Sequence, residues 1–310
     1  MAAIRILLAA YNGEAYLRQQ LDSVLAQTCR DFQLIVSDDQ SRDETPRILE
    51  EYAEKYPDMI LYYRSGLRFG SAQGHFMHLL KTFSQSDYIM FCDQDDAWHP
   101  DKVGKTLEQM KKVEEDPSVP VLVYTDLRVV NGALEQIDPS FMHYARIRGE
   151  DTRLCRLLAR NVVTGCTVMI NRALAELACV PEDYSRVRMH DWYLAQLAAS
   201  CGTLAYLPEA TMDYRIHGGN VVGGSNDPAL GKLIKKALST DLRGNIRKNY
   251  AQARFLYETH RAQMTPEGAA TVEKYVAMED YGFFRRRFWY LKGGYLMDGL
   301  PKILGQLIWG

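Results

Sequence analysis

At 310 residues the chain can hold one large domain or two modest ones, which excludes a minimal scaffold stapled by disulfides or metal. Hydrophobic residues make up 47% and charged residues 25%, an ordinary globular composition that excludes disorder and fibrous repeats. With 37 Lys and Arg against 39 Asp and Glu the formal charge is −2, so no uniformly basic face for nucleic acid is implied.

Through the first half, short β-rich apolar runs alternate with helical patterns, which predicts a layered α/β domain on a mostly parallel sheet. Strands are expected over 4–9, 32–37, 59–63 and 88–92. Helices are expected over 14–26, from Pro46 through Tyr52, over 71–84, and from Pro100 to Glu114. Further on come a strand over 121–130, an Asn131-Gly132 turn, and a strand-like run over 161–170 that ends in Asn171, a natural helix N-cap. The sheet is therefore expected to become mixed. A helix over 189–200 follows, then strands near 203–207 and 211–216 and a loop at His217-Gly218-Gly219-Asn220. From Asp227 onward only helical segments are seen. The expected division is an α/β domain over 1–226 and a helical extension over 227–310. Residues 228–310 hold 14 Lys and Arg against 7 Asp and Glu, so the extension is basic and the rest acidic.

Six cysteines show no CxxC pair, and several sit in apolar runs where a thiol behaves as a small hydrophobe; reduced thiols and a cytosolic location are expected. The apolar N-terminus has one preceding Arg and no cleavage-site pattern, so it reads as a first strand rather than a signal peptide. No apolar run reaches the length of about 18 residues that a membrane span needs.

Ligands of open α/β sheets gather at the carboxyl ends of the strands, and two acidic clusters fall there. Asp38-Asp39 offers acceptors for the N–H of a base or for ribose hydroxyls, or else simply serves the turn and the helix start after it. In Asp93-Gln94-Asp95-Asp96, three closely spaced carboxylates repel one another unless they are solvated or neutralised by a cation. Extended backbone turns Asp93 and Asp95 to one side. Hard oxygen donors of this kind suit Mg²⁺ or Mn²⁺ shared with a diphosphate. A solvated acidic loop ahead of the Pro100 helix is the alternative. An EF-hand is excluded, since Trp98 stands where its Gly is required and Gly104 where its Glu is required. The sequence also lacks G-x-G-x-x-G, a Walker P-loop, G-x-S-x-G and H-E-x-x-H, so a nucleotide must be held in some other way.

The ordered set AAYNGEAYL, IVSDDQSRDET, DYIMFCDQDDAWHPDKV, TGCTVMINR, MHDWYLA and YRIHGGNVV, spanning residues 4–224, resembles glycosyltransferase family 2. Within it, DQDDAWHPDK, HDWYLA and YRIHGGNVV resemble the bacterial rhamnosyltransferase-type enzymes of cell-wall polysaccharide and O-antigen assembly. The resemblance implies a GT-A fold, which is Rossmann-like with a mostly parallel mixed sheet flanked by helices. It implies nucleotide-binding positions at Ala9, Tyr11 and Asp39, and donor contact by Asp93. Asp95 would be a ligand to Mg²⁺ or Mn²⁺ on the diphosphate, with His217 joining the metal or diphosphate. Asp191 would be the general base. Gly165 lets backbone approach the donor sugar or marks a bulge. Trp98 and Trp192 serve the core or stack on sugars, Arg215 pairs with phosphate or an acid, and His190 reads as a packed residue, the alternatives being to orient Asp191 or to contact the acceptor.

The implied reaction is a single displacement with inversion at C1. A sugar, rhamnose from dTDP-rhamnose by the likeness, passes from a nucleoside diphosphate to a saccharide or lipid-linked acceptor. A non-catalytic nucleotide-sugar-binding scaffold and a nucleotidyltransferase are the alternatives; the second usually carries a Gly-rich basic loop that YNGEAYL lacks. The Q-x-x-R-W motif of processive synthases is absent, which points to addition of one or a few sugars. Gln40 stands where many relatives have Gly. Residues 283–310 mix Arg and Lys with aromatics, which suits the headgroup layer of an anionic leaflet, a homodimer contact, or a helix packed on the domain. A cytoplasmic protein, peripheral on the inner face of the membrane, is the corresponding location.

Overall fold

The computed structural model describes residues 3–216 and 240–310. Its sheet begins with four parallel strands, β1 (Ile4–Ala10), β2 (Phe32–Asp38), β3 (Ile60–Tyr62) and β4 (Tyr88–Cys92). It continues with β5 (Ala97–Trp98), β6 (Val121–Val130), β7 (Gln136–Asp138), β8 (Val168–Asn171) and β9 (Thr203–Arg215). The spatial order is β3-β2-β1-β4-β8-β6-β9-β5, with β7 on β6. Strand β8 runs antiparallel to β4 and β6, while β6 and β9 are parallel, so the sheet is mixed as expected.

The central strands are apolar on both faces because both faces are covered. Leu7, Ile35 and Phe91 point into one buried cluster; Ile6, Leu8, Val36 and Cys92 point into the other, as the two-residue strand period requires. The helices α1 (Leu17–Leu25), α2 (Thr45–Lys55) and α4 (Lys102–Val113) supply the second cluster. Those on the first face are α3 (Ala72–Phe83), the short α5 (Phe141–Ala145) and α6 (Leu154–Ala159), α7 (Arg172–Ala178) and α8 (His190–Cys201).

The C-terminal region is helical, as expected: α9 (Thr240–His260), α10 (Pro266–Ala277), α11 (Phe283–Lys292) and α12 (Leu300–Trp309). Tyr250, Phe255, Val272, Tyr275 and Tyr290 from these helices belong to the same apolar cluster as Leu7 and Phe91. The expected boundary at residue 226 lies outside the described residues. All six cysteines are free thiols, and no helix among the described residues is long and apolar enough to cross a membrane.

Three details differ from the expected elements. Of the run 161–170, only the last residues join β8; Gly165–Thr167 form a 3₁₀ turn in which the Thr167 N–H and hydroxyl both donate to the Thr164 carbonyl, at 2.9 and 2.7 Å. The two strands expected after 203 are one, interrupted in register where Leu207 is followed by Pro208, which has no N–H for the ladder. Strand β5 is too short to show any period.

Asn171 caps α7 as expected and does more. Its Oδ1 accepts from Leu174 N (3.1 Å) and Val121 N (2.9 Å), and its Nδ2 donates to Val119 O and Glu114 Oε1, both at 2.8 Å. Replacing this buried side chain leaves several backbone groups unsatisfied. Asn171→Ala is expected to lower the unfolding free energy by about 2–4 kcal/mol in a urea titration.

Candidate active site

Strands β1, β2 and β4 are parallel, so their carboxyl ends share one edge. Leu8 lies level with Val36 and with Cys92, which brings the residues after Ala10, Asp38 and Cys92 together. Because β8 is antiparallel to β4 with Met90 opposite Met169, continuing that register puts Cys166 opposite Asp93. The start of α8 meets the same edge, since Gly165 abuts His190 and Asp191.

The first two loops are interlocked. Gln94 Oε1 accepts from Tyr11 N (2.7 Å) and its Nε2 donates to Tyr11 O (2.9 Å), tying the loop after β4 to the loop after β1. Asn12 N donates to Ser41 Oγ and Gly13 N to Thr45 Oγ1, both at 2.8 Å. A Cβ on Gly13 would lie 2.3 Å from Gln94 Oε1, so a side chain there would displace Gln94 from its bonds to Tyr11. Gln40 holds φ 57°, the left-handed conformation a glycine would take freely. Tyr11 is exposed, and Ala9 half-buried. Asp39 is buried; its Oδ1 accepts from Phe69 N (2.5 Å) and its Oδ2 from Gly70 N (2.8 Å), so it anchors the 65–71 loop. Phe69 in turn stacks on His75, with ring centroids 4.6 Å apart. The His75 ring is hydrogen-bonded to Ser37 Oγ and driven by burial down to about 4, hence neutral.

Beside this platform the carboxylates of Asp93 and Asp96 and the Sγ of Cys166 lie within 4.8 Å of one another. Burial, then the charges of Asp95 and Asp191, push Asp93 above the ordinary carboxylate range; burial, then Asp95 and Asp93, push Asp96 well above it. Asp96 Oδ1 accepts from Arg215 N at 3.2 Å, whereas its buried Oδ2 has no hydrogen-bond partner among the described residues. Lys102 is fully buried beneath, its Nζ 3.2 Å from Thr211 Oγ1 and 4.9 Å from the centre of the Trp98 ring, and burial lowers it to about 8. Gathered carboxylates with an orphaned oxygen fit a hard divalent cation. Burial and the neighbouring acids push the Cys166 thiol well up, and a sulfur donor suits Mg²⁺ or Mn²⁺ less well than the carboxylates beside it. His217 lies outside the described residues.

Asp191 sits in the first turn of α8, 6% exposed. Its Oδ1 accepts from Trp192 N (2.6 Å) and Asn161 Nδ2 (3.1 Å). Burial raises it to about 7, opposed by these donors and by the Gly165 backbone. His190 packs on Phe76 and Phe91, with centroids at 4.4 and 5.2 Å; burial drives it to about 3, and neither ring nitrogen has a partner among the described residues. A Cβ on Gly165 would lie 2.7 Å from His190 Nε2, so this glycine allows the turn before β8 to close on α8. Trp98 and Trp192 are both buried, and Trp192 Nε1 donates to Leu157 O at 2.5 Å. Arg215 lies under the first loop, with Nη1 on Gly132 O (2.7 Å), Nη2 on Gln19 Oε1, and its guanidinium 4.7 Å from the Tyr16 ring centre.

Helix α9 braces the base of this wall. Arg188 lies 5.1 Å from the Trp192 ring centre and donates to Asn245 Oδ1 at 2.8 Å; Gln252 accepts from Arg188 N (2.8 Å) and donates to Gln196 Oε1 on α8 (2.9 Å). The geometry therefore joins Ala9, Tyr11, Asp39, Asp93, Asp95, Gly165 and Asp191 at one end of the sheet, and adds Gln94, Asn161 and Lys102, which sequence reasoning missed. Gln94 sits inside the acidic motif, so its place was visible. The pairing of Asn161 with Asp191 exists only in the folded chain.

Residues 5–177 match the model of the family described as Glycosyl transferase family 2. A dTDP-rhamnosyl transferase, RfbG, of Shigella flexneri is 28% identical over 226 residues, covering 70% of this chain and 74% of that protein. The uncharacterized protein Rv1520 of Mycobacterium tuberculosis is 32% identical over 214 residues, covering 67% of this chain and 57% of its own length. Among solved structures, S. aureus TarS 1-349 in complex with UDP-GlcNAc superposes with a TM-score of 0.55 at 15% identity, covering 98% of this chain and 89% of that one. The mannosyltransferase PcManGT of Pyrobaculum calidifontis, in complex with GDP-Man and Mn²⁺, gives a TM-score of 0.52 at 18% identity, with 99% and 85% covered. These likenesses show the GT-A fold.

The raised value of Asp191 has a consequence for stability. The folded chain holds a proton there that the unfolded chain, with an ordinary value of 3.8, has already released; the stability from this group is present at low pH and lost as pH rises through about 7. Asp191→Asn is expected to be about 1–3 kcal/mol more stable than the parent at a pH of about 8, and to lose that advantage as the pH falls toward about 4, in urea titrations without divalent cations.

Proposed function

Because the chain belongs to glycosyl transferase family 2, and so is a glycosyltransferase, we propose that it transfers a sugar from a nucleoside diphosphate donor to an acceptor hydroxyl with inversion at C1. The observation that carries this reading is the convergence of Asp93, Asp95 and Asp191: the first feels the charge of both others at the end of the parallel strands. The end of β1 and the loops after β1 and β2 supply the nucleotide wall through Ala9, Tyr11 and Asp39. Asp93 faces the ribose or the donor sugar. Asp95, with His217, would hold Mg²⁺ or Mn²⁺, which when bound supplies positive charge beside the diphosphate as it leaves.

Asp191 takes the proton of the acceptor hydroxyl while that oxygen bonds to C1 and the bond from C1 to the diphosphate oxygen breaks. A base poised near neutrality suits this task, and Asn161 Nδ2 and the Trp192 N–H hold it in place. The donor in this reading is dTDP-rhamnose, supported by the Shigella relative's description as a dTDP-rhamnosyl transferase, and the acceptor is a saccharide or a lipid-linked saccharide of the cell surface. The mannosyltransferase complex with Mn²⁺ supports a divalent ion in this fold.

The test is a panel of nucleotide sugars assayed for hydrolysis and transfer with Mg²⁺ or Mn²⁺. Turnover is expected with dTDP-rhamnose and is expected to vanish with chelator. Asp95→Ala is expected to abolish metal-dependent release of the nucleoside diphosphate. Asp191→Asn should bind donor with unchanged affinity in calorimetry while transfer falls about 10²- to 10⁴-fold. Full transfer by Asp191→Asn would remove the base assignment, and pyrophosphate release from a nucleoside triphosphate would replace the whole reading.

A further inference from the structure

Helices α11 and α12 turn one side toward the core and leave the other bare. Phe284 is 84% exposed, and Phe283, Phe288, Leu291, Leu304 and Ile308 are each exposed by about half. On α11, Phe284, Phe288 and Leu291 follow the i, i+4, i+7 spacing of a single helical stripe. On α12, Leu304 and Ile308 are one turn apart. Isolated exposed apolar residues are ordinary, but a stripe continued on a second helix marks an interface.

The two helices are tied together by Arg287. Arg287 Nε donates to Leu307 O (2.8 Å) and its Nη2 to Ile308 O (3.0 Å), which satisfies carbonyls at the end of α12 from the side of α11. Cations border the apolar stripe on both flanks. By the turn of the helix, Arg287 falls on one side of Phe284 and Phe288, with Arg285 and Lys292 on the other. They are held against rings: Arg287 lies 3.7 Å from the Phe283 ring centre, Arg285 3.9 Å from that of Tyr281, and Lys292 Nζ 5.4 Å from that of Phe288. Residues 283–310 carry five cations and a single acid, Asp298, which is occupied by Arg156 and Arg160.

From this we infer that the outer face of α11 and α12 docks on an anionic phospholipid bilayer, with the phenylalanine and leucine side chains among the acyl chain ends and the exposed Arg285 and Lys292 at the headgroup phosphates. Charge decides among the partners. A second copy packed stripe to stripe would press the same cations together with no acid on either helix to receive them. An anionic leaflet accepts both flanks and the apolar stripe at once. The inference needs neither a sugar donor nor catalysis, so it stands or falls apart from the proposed reaction.

The experiment is sedimentation of the full chain with vesicles of phosphatidylcholine alone or with about a quarter phosphatidylglycerol. Binding is expected to be at least about tenfold stronger to the anionic vesicles and to weaken with added salt. The double variant Phe284→Glu with Phe288→Glu is expected to lose about tenfold or more of that binding. Arg285→Glu with Lys292→Glu should remove the preference for anionic lipid. All four side chains are exposed, so thermal melting of both variants is expected to match the parent, and donor hydrolysis should be unchanged. Equal binding to both vesicles, or binding indifferent to these substitutions, would overturn the inference. So would a dimer in light scattering that Phe284→Glu with Phe288→Glu converts to monomer, because the face would then be shown to belong to a second copy.

Discussion

The constraint on which this molecule turns is the gathering of like charges in a place poor in water. Asp93, Asp95, Asp96 and Asp191 converge at one end of the sheet, and among the described residues Lys102 is the buried lysine near them. Left to themselves such groups separate or take up protons, and the raised values of Asp93, Asp96 and Asp191 record that tendency. They stay together because the backbone that carries them is fixed elsewhere. The central strands are sealed on both faces by apolar side chains, the first three loops are stitched by Gln94, Asn12 and Thr45, and α8 is held by α9. The site is rich in carboxyl groups that a positive charge would help to ionise, and the rest of the fold keeps them together.

The parts of the fold legible in the sequence were those with a long enough pattern. The strands 88–92 and 121–130 are apolar along nearly their whole length and flanked by polar turns, and both occur with the expected bounds. Asn171 announced a helix start by its chemistry, and the cap is there. Where the pattern was short or local chemistry competed with it, the reading failed: β5 has two residues, the bulge at Pro208 looked like a loop between two strands, and Gly165–Thr167 looked like a strand. The acidic motifs were visible because carboxylates at strand ends are rarely idle. Their supports were not visible, since Gln94 reaches back 83 residues to Tyr11 and Asn161 reaches forward 30 residues to Asp191.

The helices after residue 240 do two different things with two faces. Their inner side adds Tyr250, Tyr275 and Tyr290 to the core, and α9 extends Asn245 and Gln252 to Arg188 and the root of α8, so the segment is part of what orients Asp191. Their outer side, on α11 and α12, is apolar with a basic border. In sequence these roles overlap in one basic, aromatic stretch. Only burial separates Tyr290, which is enclosed, from Phe284, which is not.

In the proposed function, Asp39 would be an acceptor oriented before its ligand arrives. An isolated carboxylate at a strand end would turn freely in water, and a base would have to order it on binding. Here each oxygen already accepts one N–H, from Phe69 or Gly70, and those donors are fixed by the stacking of Phe69 on His75 and by the bond from His75 to Ser37 at the end of β2. Each carboxylate oxygen can accept a second hydrogen bond. In the proposed function, the N–H of a pyrimidine base therefore meets an acceptor whose direction is set by the sheet itself, and the loop at 65–71 is closed over it by the same two bonds. Gln40 belongs to the same logic. It bears a left-handed backbone at a cost of about 1 kcal/mol, in the turn just after Asp39 where the chain swings back toward Asn12.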